Sequence, residues 1–198
     1  NSIESMGLVD GPGVRFVVFM QGCPLRCKFC HNPETWDLNG KANCYTPEEL
    51  IKKILNYKPY FKHNGGVTFS GGEPLMQKEF LLECLKLCKE NNIHTCLDTA
   101  GSILNVEEIL KYTDLVMFDI KGTNKDNYKN MTGFNIENSL KFLNLCGKLN
   151  KKLWIRVVIV PGINDTEEYV NELINFIKPI KNVEKIEFLP YHTLGVHK

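Results

Sequence analysis

No long hydrophobic run is present. The longest uninterrupted apolar stretch is Phe16–Met20, far short of the ~20 residues that a membrane-spanning helix needs. An excess of one charge is lacking too. Lysine and arginine number 24 against 23 aspartate and glutamate, a formal net charge of +1. No broad field exists to draw the chain to nucleic acid or to an anionic membrane. The opening residues Asn1-Ser2-Ile3-Glu4 lack the basic-then-apolar pattern of a secretion signal. Internal repeats, low-complexity stretches and linkers are also missing. The 198 residues suffice for one domain with its own core. The expectation is a single cytoplasmic, monomeric domain over residues 1–198, without nucleic-acid or membrane partners.

Cysteine, in contrast, is plentiful. Eight are present, and three fall between Cys23 and Cys30. In a secreted chain they would suggest disulfides; without that context a reduced compartment and a thiolate-bound metal fit better. Cys84 and Cys88 lie among Leu81, Leu82, Leu85 and Leu87 and read as core packing. Cys44, Cys96 and Cys146 read as spectators.

The chain alternates strand with helix. Residues 15–21, 66–70, 94–98, 115–120, 153–160 and 185–189 are rich in β-branched and aromatic residues and read as buried strands. Amphipathic segments over 46–57, 77–91, 106–112, 136–149 and 166–177 read as helices. Thr46-Pro47-Glu48-Glu49 carries a capping-box signature with proline at the first helical position. Alternation of this kind predicts a parallel sheet with right-handed crossovers. Polar residues stand at the carboxyl ends of five strands: Gln21-Gly22-Cys23, Ser70-Gly71-Gly72-Glu73, Asp98-Thr99, Asp119-Ile120-Lys121 and Pro190-Tyr191-His192. Convergence from so many strands suits a barrel mouth better than the single crevice of a doubly wound sheet. The expected fold is α/β: a partial, open (β/α)6 barrel of parallel strands.

The cysteine loop reads Gly22-Cys23-Pro24-Leu25-Arg26-Cys27-Lys28-Phe29-Cys30-His31-Asn32. A Cys-x3-Cys-x2-Cys loop can wrap three thiolates around one face of a cubane iron–sulfur cluster, which usually takes four. A fourth iron is then left open, the mark of a catalytic rather than a structural centre. Other readings compete at this point. They are a structural zinc site of Cys23, Cys27, Cys30 and His31, buried unliganded thiols, and a disulfide that leaves one cysteine over.

Cys-x3-Cys-x-Phe-Cys resembles the signature of the radical S-adenosylmethionine (SAM) superfamily. Further segments resemble the glycyl-radical-enzyme activating proteins, above all those that act on pyruvate formate-lyase. These are Val9-Asp10-Gly11-Pro12-Gly13-Val14-Arg15-Phe16, Thr35-Trp36, Val67-Thr68-Phe69-Ser70 with Gly71-Gly72-Glu73, Cys96-Leu97-Asp98-Thr99 and Leu189-Pro190-Tyr191-His192. The likeness runs from Ser5 to Lys198. About 40 residues separate Cys30 from Gly71, with Cys44 the one cysteine between them. That leaves no room for the cluster-bearing insert of some relatives.

The resemblance implies one [4Fe–4S] cluster on Cys23, Cys27 and Cys30, and SAM as cofactor. It implies SAM contacts from Phe29, Cys30, His31, Gly72, Glu73, Asp119, Ile120, Lys121 and His192. Gly72 ranks before Glu73 for the amino group, Lys121 meets the carboxylate, and His192 lies at the adenosine end. Asp98, Thr99, Met117 and Asp119 resemble a monovalent-cation site for Na+ or K+. The implied substrate is a glycine on a loop of a glycyl radical enzyme, and the implied reductant is flavodoxin or ferredoxin. A different small radical SAM enzyme, acting on a ribonucleotide reductase or a small molecule, and a non-catalytic zinc module are the rival expectations. The resemblance also implies further segments before Asn1 and after Lys198, as in a chain trimmed at both ends. Arg156 is read as a mid-strand charge facing inward, a candidate partner of Asp10.

Overall fold

The structure is a computed structural model that describes residues 1–191. His192 therefore lies outside the described residues. Seven strands form one sheet: β1 (Ser2–Gly7), β2 (Arg15–Met20), β3 (Gly66–Gly71), β4 (His94–Thr99), β5 (Leu115–Asp119), β6 (Lys152–Ile159) and β7 (Val183–Pro190). They are hydrogen-bonded in chain order, β1 through β7. Strands β2 to β7 are parallel, as the strand–helix alternation demands. Strand β1 is an addition to the six expected, and it pairs antiparallel with β2. Its side chains alternate between exposed and partly exposed, with Glu4 and Ser5 among them, so it lacks the apolar run that betrays a buried strand.

Seven helices cover the outer face: α1 (Pro47–Leu55), α2 (Lys58–Phe61), α3 (Lys78–Glu90), α4 (Glu107–Lys111), α5 (Lys125–Thr132), α6 (Glu137–Lys148) and α7 (Glu167–Ile177). The capping box of α1 forms as read: Thr46 Oγ1 accepts from Glu49 N–H, and Thr46 N–H donates to the Glu49 carboxylate. Helices α2 and α5 are additional. α5 is polar along most of its length and buries Tyr128, Met131 and Thr132. It is set by an asparagine pair instead: Asn124 caps its first turn and Asn127 returns the bond.

The period of two along each strand divides two environments. Val67 and Phe69, Val116 and Phe118, and Leu153, Ile155 and Val157 face the helices and build the main core. The alternate residues fill the barrel. Its floor holds Arg15, which is fully buried. The Arg15 guanidinium donates to Thr68 Oγ1 at 2.9 Å, to the carbonyls of Val67 and His94, and meets His94 Nδ1 at 3.2 Å. Burial lowers Arg15 to about 10, so it remains a cation at neutral pH. The sheet has two edges, β1 and β7, and is an open barrel. On β7, Ile186 and Phe188 are exposed.

Candidate cluster and SAM site

The loop after β2 is held from both sides by backbone. Gly22 N–H donates to the Thr35 carbonyl at 2.7 Å and Cys23 N–H to that of Trp36 at 3.2 Å. Arg26 and Lys28 N–H groups donate to the carbonyls of Thr132 and Met131, each at 2.9 Å. Those acceptors are the last-turn carbonyls of α5, which have no partner inside the helix. Between these anchors burial alternates, and the loop closes in a turn where Cys30 N–H donates to the Cys27 carbonyl at 3.1 Å. Leu25, Cys27 and Phe29 are buried, while Arg26 and Lys28 are exposed. Leu25, Cys27 and Phe29 pack with Ala100, Met131 and Val160, and Cys23 and Cys30 lie against this cluster.

The turn after β3 approaches the same loop. Gly72 N–H donates to the Met20 carbonyl at 3.0 Å and Glu73 N–H to the Gly22 carbonyl at 2.8 Å. A Cβ on Gly72 would sit 2.3 Å from the Gly22 oxygen. Glycine is needed here because two backbones meet. Glu73 turns inward and is 2% exposed. Its carboxylate accepts from Thr99 Oγ1 at 2.6 Å, Ser102 Oγ at 3.2 Å, and the Leu75 and Ala100 N–H groups at 3.3 Å. Burial raises its pKa against the pull of these donors.

At the ends of β4, β5 and β6 the charges interlock. Arg156 Nη2 stands 3.6 Å from Asp98 Oδ2, and Nε 3.3 Å from Asp119 Oδ1. Lys121 Nζ reaches Asp119 Oδ2 at 3.1 Å and lies 5.1 Å from the Phe29 ring centroid. Burial alone would lower Lys121; Asp119 and the sulfurs of Cys27 and Cys23 outweigh it and hold the ammonium above the ordinary lysine range. Asp98 is raised to about 6, chiefly by burial. Ser70 Oγ donates to its Oδ2 at 2.6 Å. Asp98 Oδ1 is buried with no hydrogen-bond partner, an acceptor left over inside the molecule.

All these groups border one cavity of about 360 Å³. Cys23, Cys27, Cys30, Phe29, His31, Gly72, Glu73, Asp98, Thr99, Asp119 and Lys121 line it. Two of the residues expected there do not. The Ile120 side chain joins the outer core. Met117 is fully buried beside Cys96, Leu115 and Trp154. Arg156, for which Asp10 is a candidate partner by sequence, makes its ion pairs with Asp98 and Asp119. Asp10 lines the same cavity, where burial raises its pKa and Arg156 lowers it. Ser70 and Arg156 are the residues that sequence reasoning left without a role. The signal for Arg156 was a charge between the apolar Ile155 and Val157 of a buried strand; the signal for Ser70 was its place just before the Gly71-Gly72-Glu73 turn.

Burial and then Glu73 push the Cys23 thiol up to about 12. A bound metal cation would reverse that balance and hold the sulfur as thiolate. Among the described residues, no three His, Cys, Asp or Glu side chains could hold a single metal ion. A cubane is gripped at separate corners by thiolates that stand wider apart. None of the eight cysteines is in a disulfide, so the sulfurs of Cys23, Cys27 and Cys30 are not tied to one another. Among the described residues, no helix is long and apolar enough to cross a membrane.

The profile of the Radical SAM superfamily matches residues 17–177. The chain is 58% identical over 200 residues to the pyruvate formate-lyase-activating enzyme of Clostridium pasteurianum, covering 100% of this chain and 84% of the relative. It is 47% identical over 207 residues to the enzyme of that name from Staphylococcus epidermidis, covering 100% of this chain and 82% of the relative. A solved domain of pyruvate-formate lyase-activating enzyme from Bacteroides vulgatus matches with a TM-score of 0.59 at 29% identity, over 65% of this chain and 81% of that one. Profile, whole-chain identity and fold agree with the three-thiolate loop: the chain belongs to the radical SAM superfamily, whose members use a [4Fe–4S] cluster and SAM.

Proposed function

We propose that this chain activates pyruvate formate-lyase by removing one hydrogen atom from a glycine α-carbon and leaving a glycyl radical there. One observation carries the reading. Three cysteines, a Gly-Gly-Glu turn and a buried Asp–Lys pair border a single cavity, in a chain 58% identical to a relative named for that activity. When bound, the cluster and SAM supply one electron to a sulfonium, methionine and a 5′-deoxyadenosyl radical that takes up the hydrogen atom.

The chain's own residues hold and orient. Cys23, Cys27 and Cys30 bind three irons and release their protons as metal enters. The Gly72 main chain and Asp98 Oδ1 accept from the SAM amino group, which satisfies the orphaned oxygen. Lys121 turns its ammonium to the carboxylate while Asp119 steadies it. Phe29, Cys30 and His31 border the adenine, Ile120 contributes main chain, and His192 serves the adenosine end. Glu73 acts indirectly: it ties the β3 turn to the end of β4. Asp98, Thr99, Met117 and Asp119 offer oxygens to Na+ or K+; β4 and β5 pair with Asp98 opposite Met117, and hard oxygen donors suit such an ion. A glycine has no side chain to block approach, and its α-radical is delocalised over the flanking amides. The open side of the barrel admits the target loop, which bears an ordering cost on leaving its own fold. In this reading the protein works as a cytoplasmic monomer, with flavodoxin or ferredoxin as reductant.

The test is anaerobic. Reconstituted protein, SAM and dithionite are mixed with pyruvate formate-lyase and followed by electron paramagnetic resonance. A glycyl radical signal that needs all four components is expected. SAM cleavage without that signal, or a signal only with a ribonucleotide reductase, overturns the assignment of partner. Absence of iron and sulfide after reconstitution overturns the site.

A further inference from the structure

The loop through Cys27 has two faces, and the cavity uses only one. Leu25, Cys27 and Phe29 are buried; Arg26 and Lys28 are exposed on either side of Cys27. The outward face continues onto α5. Arg26 and Lys28 are bonded through backbone to the carbonyls of Thr132 and Met131, and Lys28 Nζ donates to Asn130 Oδ1 at 2.6 Å. Lys129 is exposed on the same last turn, and Phe134 just beyond it is 45% exposed. Arg26 also lies over the Trp36 ring, 4.9 Å from its centroid, which fixes the guanidinium beside the loop. The chain as a whole carries +1. Arg26, Lys28 and Lys129, with the exposed Phe134, are therefore a local concentration of positive charge on the loop that holds Cys27 and the helix turn bonded to it.

We propose that the outward face of residues 25–29, together with the last turn of α5, is the docking surface for an acidic one-electron carrier protein. This rests on the cluster reading above. Charge complementarity selects the occupant: a positive rim about an apolar centre attracts an acidic partner, raises the encounter rate and needs only a small contact area. Position selects its task, because electron transfer needs the donor close to the acceptor, and Arg26 and Lys28 flank Cys27 directly in the chain. One electron leaves the reduced carrier, which is oxidised, and crosses Cys27 to the cluster, which is reduced by one; no bond is made or broken. The inward face of the segment borders the SAM cavity. A carrier on the outward face therefore leaves that cavity open to SAM and to a substrate loop.

The experiment uses the reconstituted holoprotein and the double variant Lys28→Glu, Lys129→Glu, with Lys129→Glu alone as the variant that leaves the cysteine loop untouched. Binding of an oxidised acidic flavodoxin is measured by calorimetry at two salt concentrations. Cluster reduction by the reduced flavodoxin is followed in the visible absorbance by stopped flow, beside reduction by dithionite. The double variant should bind about tenfold more weakly, and Lys129→Glu about threefold. Both should show a shallower salt dependence, and reduction by flavodoxin should slow while reduction by dithionite does not. Wild-type binding and reduction in both variants overturn the proposal. So does equal slowing with both reductants, which would mean that these lysines only support the loop. A wild-type protein that takes no electron from dithionite and holds no iron instead overturns the cluster reading on which the surface depends.

Discussion

Glu73 receives four donors at its two carboxylate oxygens, from Thr99, Ser102 and the Leu75 and Ala100 N–H groups. A carboxylate offers about four lone-pair sites, so this one is filled by the protein. Replacing it by glutamine puts an N–H₂ group against at least one N–H or O–H donor. Glu73→Gln should therefore lose about 2 kcal/mol of stability, read as a lower urea midpoint at unchanged slope. A midpoint equal to wild type would show that these bonds contribute nothing. Asp98 is the opposite case, since its Oδ1 has no protein donor. Sequence alone marked Glu73 and Asp98 as charged residues at strand ends. It did not tell a saturated carboxylate from one with an oxygen to spare, because that difference rests on Ser102 and Ala100, which carry no motif. Arg156 was readable as an inward charge from the parity of β6. Its partners were not, since they depend on strand register: Asp119 lies opposite Arg156 in the β5–β6 pairing.

At the scale of elements, α5 fixes the cysteine loop through its final carbonyls. Its first turn depends on Asn124, whose side chain accepts from the N–H groups of Asp126 and Asn127 at 3.1 and 3.0 Å. Asn124→Ala should cost about 1 kcal/mol, and the loss should appear at the far end of the helix. The variant is expected to hold less iron per chain after mild heating than wild type does, as measured by metal analysis. Equal iron retention would separate the helix from the cluster. The parallel strands β2 to β6 were legible because each is a short apolar run bounded by glycine, proline or polar residues. β1 and α5 were not. An edge strand with one wet face and a helix of mostly polar residues lack hydrophobic periodicity, and both are stabilised by contacts distant in sequence. Gly72 carries its own structural reason, legible only in three dimensions: the Gly22 carbonyl lies where a Cβ would be.

For the molecule as a whole, the floor of the barrel is a cation in a dry place. Arg15 is surrounded by carbonyls, a hydroxyl and His94 rather than by a bonded carboxylate. Burial and then Arg15 hold His94 below the ordinary imidazole value of 6.5. The unfolded chain thus binds a proton that the folded chain refuses. This site's contribution to stability is complete above 6.5 and drains away as pH falls from there toward the lower folded value. Melting temperatures at about pH 7.5 and about pH 5.5 should differ more for wild type than for His94→Gln, which carries no titrating ring. An unchanged gap would clear His94. An open barrel was legible from the polar strand ends, which is where such folds gather their chemistry. The antiparallel strand β1 was not, and with it went the position of one edge.

Backbone bonds to Thr35, Trp36, Met131 and Thr132 pin residues 22–28. Bonds of that kind hold the path of the chain whatever its side chains carry. An inorganic core lost to air would then leave its cradle standing, ready for fresh iron and sulfide without a new round of folding. Damage by oxygen becomes a matter of resupply rather than of making the polypeptide again.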